Sequence, residues 1–443
     1  MAKEKISVIG LGFVGLSLAV VNAQKGFHTY GIDIDTKKIE NLQQGKVSFF
    51  EPQLKKYLNS SLHNKKIEFS NNFKKILDTD ITFLTVGTPS KKSGEINLSY
   101  IKDAIKQISK ALEQKRTYHL LVVKSTLSPQ TTKKIILPFF KKQISAKKID
   151  VVVNPEFLQE GFAIRDVLNP HIIVIGADNK KGSKLLEKYY KKFYKSLPEI
   201  LHVGITTAEL IKYANNSFLA TKISFINSIA NICQQLPDVD VDSIAYAIGK
   251  DNRIGPLFLK AGPGFGGSCL PKDLSGLISF SKQIGNTAPF FEAVQKVNKK
   301  QPEKIFSIMK KMKILSSKNT ISILGLAFKK NTDDIRESVS IKIVEKCLNY
   351  GLTVKVHDPM AMKNFQNLFH DKIEYHKSVN SCLKNTDCCI ILTDWDEYGK
   401  LQSENFSIMN KKNVIDTRRI LNYQKLKNVN FYALGLGHPK KSK

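Results

Sequence analysis

One cysteine is set apart by its surroundings. In Gly262-Pro263-Gly264-Phe265-Gly266-Gly267-Ser268-Cys269-Leu270-Pro271-Lys272-Asp273 four glycines permit close backbone approach to a bulky ligand. Pro271 followed by helix formers predicts a helix that starts beside Cys269. A thiol at a helix N-terminus, with Lys272 close by, has its thiolate favoured, which is the chemistry of a covalent nucleophile. The plainer reading is a small buried hydrophobe. The flanking glycines, Lys272 and Asp273 weigh against it.

Other residues could serve such a nucleophile. Lys212 and Asn216 are four apart in a helical pattern and share a face, so a cation and an amide donor could converge on an oxygen and stabilise it as it gains charge. A solvated helix face is the bland alternative. Asn154-Pro155-Glu156-Phe157-Leu158-Gln159-Glu160-Gly161 follows a strand end and offers two carboxylates for proton or water handling. Lys329-Lys330-Asn331-Thr332-Asp333-Asp334-Ile335-Arg336-Glu337-Ser338 follows another strand. Loops at strand C-termini are where α/β folds bind ligands, although both could be ordinary loops with helix-capping acids.

The turn Gly10-Leu11-Gly12-Phe13-Val14-Gly15 sits directly between a strand and a helix, the context in which G-x-G-x-x-G brings backbone amides to a pyrophosphate. Asp33 ends the next strand where the fingerprint places the ribose-binding acid. A carboxylate there repels a 2′-phosphate, so NAD is favoured over NADP; nearby Lys38 weakens that preference slightly.

These residues need a scaffold, and the hydrophobic pattern supplies one. KISVIG, HTYGIDID, DITFLTVGTP, HLLVVKST, DVVVNPEF and HIIVIG alternate with helical stretches, the signature of βαβ units on a mostly parallel sheet. Between about Thr206 and Lys300 strands disappear, and AELIKYANNSFLATKISFINSIANICQQL reads as one long helix whose apolar faces suggest a subunit interface. TISILGLAF, LTVKVHDP, DCCIILTDW, NVIDTRR and NFYALG then form a second alternating set. The expectation is an α/β chain of two Rossmann-like, doubly wound domains joined by a long central helix and a helical dimerisation region. The expected domains are 1–203, 204–300 and 301–443.

Composition narrows the class. The 443 residues exceed one ordinary core, and 42% hydrophobic with 24% charged residues is globular. A net charge of +30 invites a nucleic-acid reading, but the lysines are scattered, arginines number six, and the sole basic tail is the short Pro439-Lys440-Lys441-Ser442-Lys443. The field would instead favour small anionic ligands. Six cysteines show neither metal-ligand spacing nor a secreted disulfide framework, so no metal is expected and a reducing cytoplasm fits. The N-terminus runs into a strand without a signal pattern, and no apolar run reaches a membrane span.

Taken together, GLGFVG, TVGTP, VKST, NPEFLQEG, AELIKYANNSFLATK, GFGGSCLPKD and GLAFKKNTDDIRES resemble the UDP-glucose/GDP-mannose dehydrogenase family over nearly the whole chain. The resemblance implies an N-terminal NAD domain, a central dimerising region and a C-terminal UDP-sugar domain. It also implies a four-electron oxidation of a sugar's primary alcohol to a carboxylate, with Cys269 forming a thiohemiacetal and then a thioester. By the same likeness Lys212, Asn216 and Asp273 would orient groups and transfer protons. Glu156, Glu160 and Thr126 would position or activate the reacting hydroxyl and water, without one being singled out as general base.

NAD would meet the Gly10 to Gly15 turn, Asp33, Lys38, Thr88, Thr126, Glu160, Lys272 and Arg336. The sugar nucleotide would meet the run Glu156, Phe157, Leu158, Gln159 and Glu160, then Lys212 and Asn216, then Phe258, Leu259, Lys260, Ala261, Gly262, Pro263 and Gly264, and finally Phe328, Lys329 and Arg418. Arg253 resembles an arginine that reaches the neighbouring subunit's substrate, which presupposes a homodimer or higher oligomer. The sequence departs from the family pattern at Gln159, commonly arginine, and at Thr417, often glycine. NTDD before IRES, with AELIKYANNSFLATKISFIN, favours UDP-glucose over GDP-mannose and the UDP-N-acetylhexosamines as substrate. A Rossmann scaffold would equally suit a non-catalytic nucleotide-binding or nucleic-acid-binding protein; the intact Cys269, Lys212 and Asp273 argue for an enzyme.

Overall fold

A computed structural model describes residues 3–437, so the basic tail Pro439 to Lys443 lies outside the described residues. The chain forms two compact units, Met1–Asn215 with Ser279–Ile284 and Asn216–Ile278 with Gly285–Lys443.

The first unit is built on an eight-stranded sheet. Its strands are β1 (Ile6–Ile9), β2 (Thr29–Ile32), β3 (Ile67–Ser70), β4 (Ile81–Leu84), β5 (His119–Val123), β6 (Ile149–Val153), β7 (Ile173–Gly176) and β8 (Ile200–Val203). They run in the order β3-β2-β1-β4-β5-β6-β7-β8. Central strands such as HLLVV and IDVVV are buried along their whole length, as strands covered by helices on both faces must be. Among the described strand pairings of this sheet, only β6–β7 is antiparallel. The order reverses direction between β1 and β4, and that switch point opens a crevice at the strands' carboxyl ends. Gly10, Asp33, the Thr85 to Thr88 segment, Thr126 and the Asn154 to Gly161 loop all follow directly on strand ends around it.

The second unit repeats the plan in six parallel strands: β9 (Thr320–Leu324), β10 (Thr353–His357), β11 (Glu374–Tyr375), β12 (Cys388–Ile391), β13 (Asn413–Asp416) and β14 (Asn430–Ala433), in the order β11-β10-β9-β12-β13-β14. The expected strand-free region is helical. The central helix Ile205–Cys233 is followed by helices Val241–Gly249, Leu270–Gln283 and Pro289–Lys311. Ala208, near the start of the central helix, joins the first unit's core, and Ile226, Ala230 and Cys233 join a cluster in the second. No described helix is long and apolar enough to cross a membrane.

Candidate active site

The glycine turn takes the shape its spacing predicts. Gly10 has φ +92°, and the helix Phe13–Gln24 begins three residues later. A Cβ on Gly15 would lie 1.9 Å from the Gly10 carbonyl oxygen, so this helix packs too closely on β1 for any side chain there. Gly12, the helix N-cap, is exposed and has open space where a Cβ would stand. The first turn carries no acidic residue, so the positive end of the helix dipole is not offset there by a carboxylate of the helix itself.

Asp33 Oδ2 accepts the Leu11 amide at 2.8 Å and Lys38 Nζ at 2.9 Å, while Oδ1 accepts the Asp35 amide at 3.1 Å. The acid is thereby tied to the turn. Three donors still leave capacity among a carboxylate's roughly four lone-pair sites for a ribose hydroxyl.

The second unit holds an altered copy of the same device. Gly325-Leu326-Ala327-Phe328 follows β9 as Gly10-Leu11-Gly12-Phe13 follows β1, and Gly325 has φ +101°. Asp358, after β10, stands where Asp33 stands after β2. Its carboxylate takes the amides of Leu326, Ala327, Met360 and Ala361 and the Trp395 indole N–H, which fills it. No helix opens at this turn, and the next begins at Val339. Of the two turns, only the first fits NAD.

Thr88 donates to the Thr126 carbonyl at 2.9 Å, joining the loops after β4 and β5. Beside them lies a charged cluster that is almost wholly buried. Lys212 Nζ pairs with Glu156 Oε1 at 3.1 Å, and Glu156 Oε2 accepts the Leu158 amide at 2.5 Å. Lys212 is 4% exposed, which excludes the solvated-face reading of this residue. Burial opposes ionisation of Glu156, but Lys212, the Leu158 amide and Lys124 outweigh it and hold the carboxyl below the usual carboxylate range. Lys212 also stands over the Phe157 ring at 5.4 Å. Gln159 is exposed, its amide on Asp166, and Glu160 is half-buried.

In the second unit the helix Leu270–Gln283 starts directly after Cys269, whose carbonyl accepts the Asp273 amide at 2.9 Å. The thiol is therefore at a helix N-terminus. It is only partly buried, with Ser268 Oγ 3.5 Å from Sγ, whereas the other five cysteines are buried. Asp273, 1% exposed, takes Asn216 Nδ2 and Lys272 Nζ at 2.5 Å each. Asn216, like Lys212, is far too buried for a solvated face.

The glycines before Cys269 are required by contact. A Cβ on Gly266 would meet the Glu337 carbonyl oxygen at 2.2 Å, and one on Gly267, at φ +81°, would meet the Phe328 ring at 2.7 Å. The Gly267 amide donates to the Arg336 carbonyl at 3.0 Å. Arg418 donates to the carbonyls of Leu392 and Phe328, with Nη1 3.5 Å from the Cβ position of Gly262. The structure thus brings Gly262, Gly266, Gly267, Phe328, Arg336 and Arg418 together.

Other expected residues sit less simply. Leu259 and Ala261 are packed in a core cluster with Ile226 and Val241, so these two positions can offer a ligand only their backbone. Lys260 is exposed, Phe258 has φ +65°, and Pro263 and Gly264 are buried. Lys329 stands over the Phe328 ring at 5.8 Å. The Arg253 side chain is 88% exposed and pairs with Asp251, and Arg336 pairs with Asp334.

Several supporting residues carried no sequence signal. Glu51 receives the amides of Gly161 and Ala163 at 2.7 and 2.8 Å, pinning the loop that bears Glu156 and Glu160. Glu209 receives the amides of Gln130 and Thr132 just past Thr126. Asn227 accepts the Gly262 amide, and Asn298 both accepts the Phe265 amide and donates to the Phe265 carbonyl. Among the described residues no group of His, Cys, Asp or Glu could hold a metal ion.

Two Rossmann-like units, with a dinucleotide turn and its acid in the first and a filled, degenerate turn in the second, mark a dinucleotide-binding α/β protein. Three family models match in succession: the UDP-glucose/GDP-mannose dehydrogenase NAD-binding domain over residues 4–194, its central domain over 206–300 and its UDP-binding domain over 322–423. The UDP-glucose 6-dehydrogenase TuaD of Bacillus subtilis is 37% identical, covering 98% of this chain and 94% of its own. A UDP-glucose dehydrogenase from the archaeon Pyrobaculum islandicum superposes with a TM-score of 0.91 at 33% identity, covering 98% of each chain. A UDP-D-ManNAc dehydrogenase from Pyrococcus horikoshii reaches 0.84 at 25% identity, covering 97% and 99%. The chain belongs to the UDP-glucose/GDP-mannose dehydrogenase family, and NAD is its cofactor.

Proposed function

We propose that this chain oxidises the primary alcohol of UDP-glucose to the carboxylate of UDP-glucuronate, with Cys269 as covalent nucleophile. The substrate choice is supported by the Bacillus and Pyrobaculum enzymes, both named for UDP-glucose and both more similar to this chain than the ManNAc enzyme is. The observation that carries the mechanism is a partly buried thiol at a helix N-terminus, one turn from the buried Asp273 and its partners Asn216 and Lys272.

NAD, when bound, supplies a two-electron hydride acceptor for each of the two oxidations. Lys212, with Glu156 ionised beside it, stabilises the substrate oxygen as its proton leaves, and Thr126 and Glu160 orient it. The Cys269 thiolate adds to the aldehyde carbon, forming a C–S bond and an oxyanion whose charge Asn216 and Lys212 would stabilise. Loss of a second hydride leaves a thioester. Water then attacks that carbon, the C–S bond breaks, and the carboxylate and thiolate separate, with Asp273 handling the proton. In sum one alcohol, one water and two oxidised cofactors give one carboxylate, two reduced cofactors and three protons. Phe328, Lys329, Arg418 and the backbone of Phe258 to Gly264 hold the nucleotide. A reducing, cytoplasmic setting keeps Cys269 a thiol.

We further infer a homodimer. Phe218, Phe225 and Ile232 recur every seven residues on the central helix and are 64%, 51% and 57% exposed, an apolar stripe that a second copy would cover. The exposed Arg253 would then be available to the partner's substrate.

The test is purified protein given each sugar nucleotide with NAD. Two NADH per UDP-glucose are expected, and reduction only with GDP-mannose or a UDP-N-acetylhexosamine would overturn the choice. Cys269→Ala should abolish uronate formation while NAD binding is nearly unchanged. Full activity in that variant would remove the covalent route.

A further inference from the structure

The VKST segment after β5 carries a lysine to which no role has yet been given. Lys124 is 8% exposed, and its amide is fixed to the Leu84 carbonyl of β4. Its Nζ donates to Asn154 Oδ1 at 2.8 Å and, at 3.4 Å, to the Asn154 carbonyl. Asn154 cannot turn away. Its amide is on Val123, its Nδ2 donates to the Val174 carbonyl at 2.8 Å, and its Oδ1 also accepts the Tyr190 hydroxyl at 2.5 Å.

The charged groups that act on Lys124 are Glu156, from the loop after β6, and Lys212, from the central helix; Tyr190, from the helix Lys180–Phe193, is neutral. A second buried ammonium is thus held on Asn154, two residues along the loop from the buried carboxylate that Lys212 pairs with. A fixed charge in such surroundings acts far more strongly than in water.

We propose that Lys124 is a positioning residue for the oxidation: its buried ammonium, clamped on Asn154, leaves the Glu156–Lys212 pair with a surplus of positive charge that stabilises the substrate oxygen as it becomes anionic. This rests on the reading that Glu156 and Lys212 act on the substrate. Burial pushes the Lys124 ammonium down to about 8, Glu156 opposing and Lys212 adding to the shift. The surplus charge is thus lost just above neutrality, and turnover should fall on the alkaline side as it goes.

The experiment compares wild type, Lys124→Met, Lys124→Arg and Glu156→Gln, measuring kcat and KM for UDP-glucose from about pH 6.5 to about 9.5. Lys124→Met should lower kcat about ten-fold at neutral pH, with KM within about two-fold, and should flatten the alkaline fall. Lys124→Arg, which keeps its charge throughout, should restore neutral kcat and also lack the alkaline fall. A purely structural lysine would give neither change of profile.

A second readout is independent of catalysis. Between about pH 8 and about 10.4 the unfolded chain binds the Lys124 proton and the folded one does not, so the melting temperature of wild type should rise relative to Lys124→Met across that window. A wild-type pH profile in Lys124→Met, or an undiminished alkaline fall in Lys124→Arg, overturns the proposal, and the arginine comparison stands even if the methionine variant does not fold. If Glu156→Gln retains full kcat, the reading of Glu156 fails. If it is crippled while the Lys124 variants match wild type, only the role of Lys124 fails.

Discussion

At the scale of single residues, the acids of this chain divide by what already occupies them. Asp358 spends its acceptors on five protein donors and serves only its own turn, whereas Asp33 holds Leu11 and Lys38 and keeps room for a sugar hydroxyl. Asp33→Ala should therefore raise KM for NAD at least about ten-fold, the loss of one or two charge-assisted hydrogen bonds, with KM for UDP-glucose within about two-fold. Initial rates with each substrate varied in turn decide it, and an unchanged KM for NAD would move the ribose elsewhere. Asp33 was legible because its distance from the glycine turn is itself the signal. Lys124 was not, since nothing in VKST distinguishes a buried ammonium from an exposed one; only the meeting of β5, the β6 loop and the central helix does.

At the scale of elements, the strands buried on both faces announced themselves as apolar runs, and every strand expected from the sequence is present. The edge strands β3, β8 and β11 were not expected. Their exposed positions carry residues such as Glu68, His202 and Glu374, and β11 has only two residues, so no apolar run survives to be read. The antiparallel β6–β7 contact was equally invisible because it rests on one residue pair.

Loop anchoring lies beyond the sequence for a different reason: Glu51 grips Gly161 across 110 residues, and Glu209 grips Gln130 across 79. Both clamps act on loops that bear proposed site residues. Glu51→Ala removes two charge-assisted bonds and leaves two buried amides unpaired, a cost of about 3 kcal/mol or more. The Glu156–Glu160 loop should then lose its register. The expected result is a kcat at least about ten-fold lower with NAD affinity retained, and a melting temperature a few degrees lower. A variant that melts earlier but turns over normally would show that the clamp serves stability alone.

At the scale of the whole molecule, the sequence foresaw a helical region with more apolar surface than one chain buries, and the exposed Phe218, Phe225 and Ile232 give that surplus an address. Isolated exposed apolar residues need no explanation, but these stand two turns apart on one face of one helix, the spacing of a helix packed against a helix. Covering the exposed half or so of each phenylalanine in a dimer is worth about 1–2 kcal/mol, so replacing both in each copy with aspartate removes several kilocalories and adds like charges near a two-fold axis. Phe218→Asp/Phe225→Asp should sediment as a monomer at concentrations where wild type is a dimer. Its activity should drop more than its melting temperature explains, because Arg253 would have no neighbouring substrate to reach. A wild-type protein that is already monomeric and fully active would show that the stripe meets some other surface, and would return Arg253 to its own loop and to Asp251.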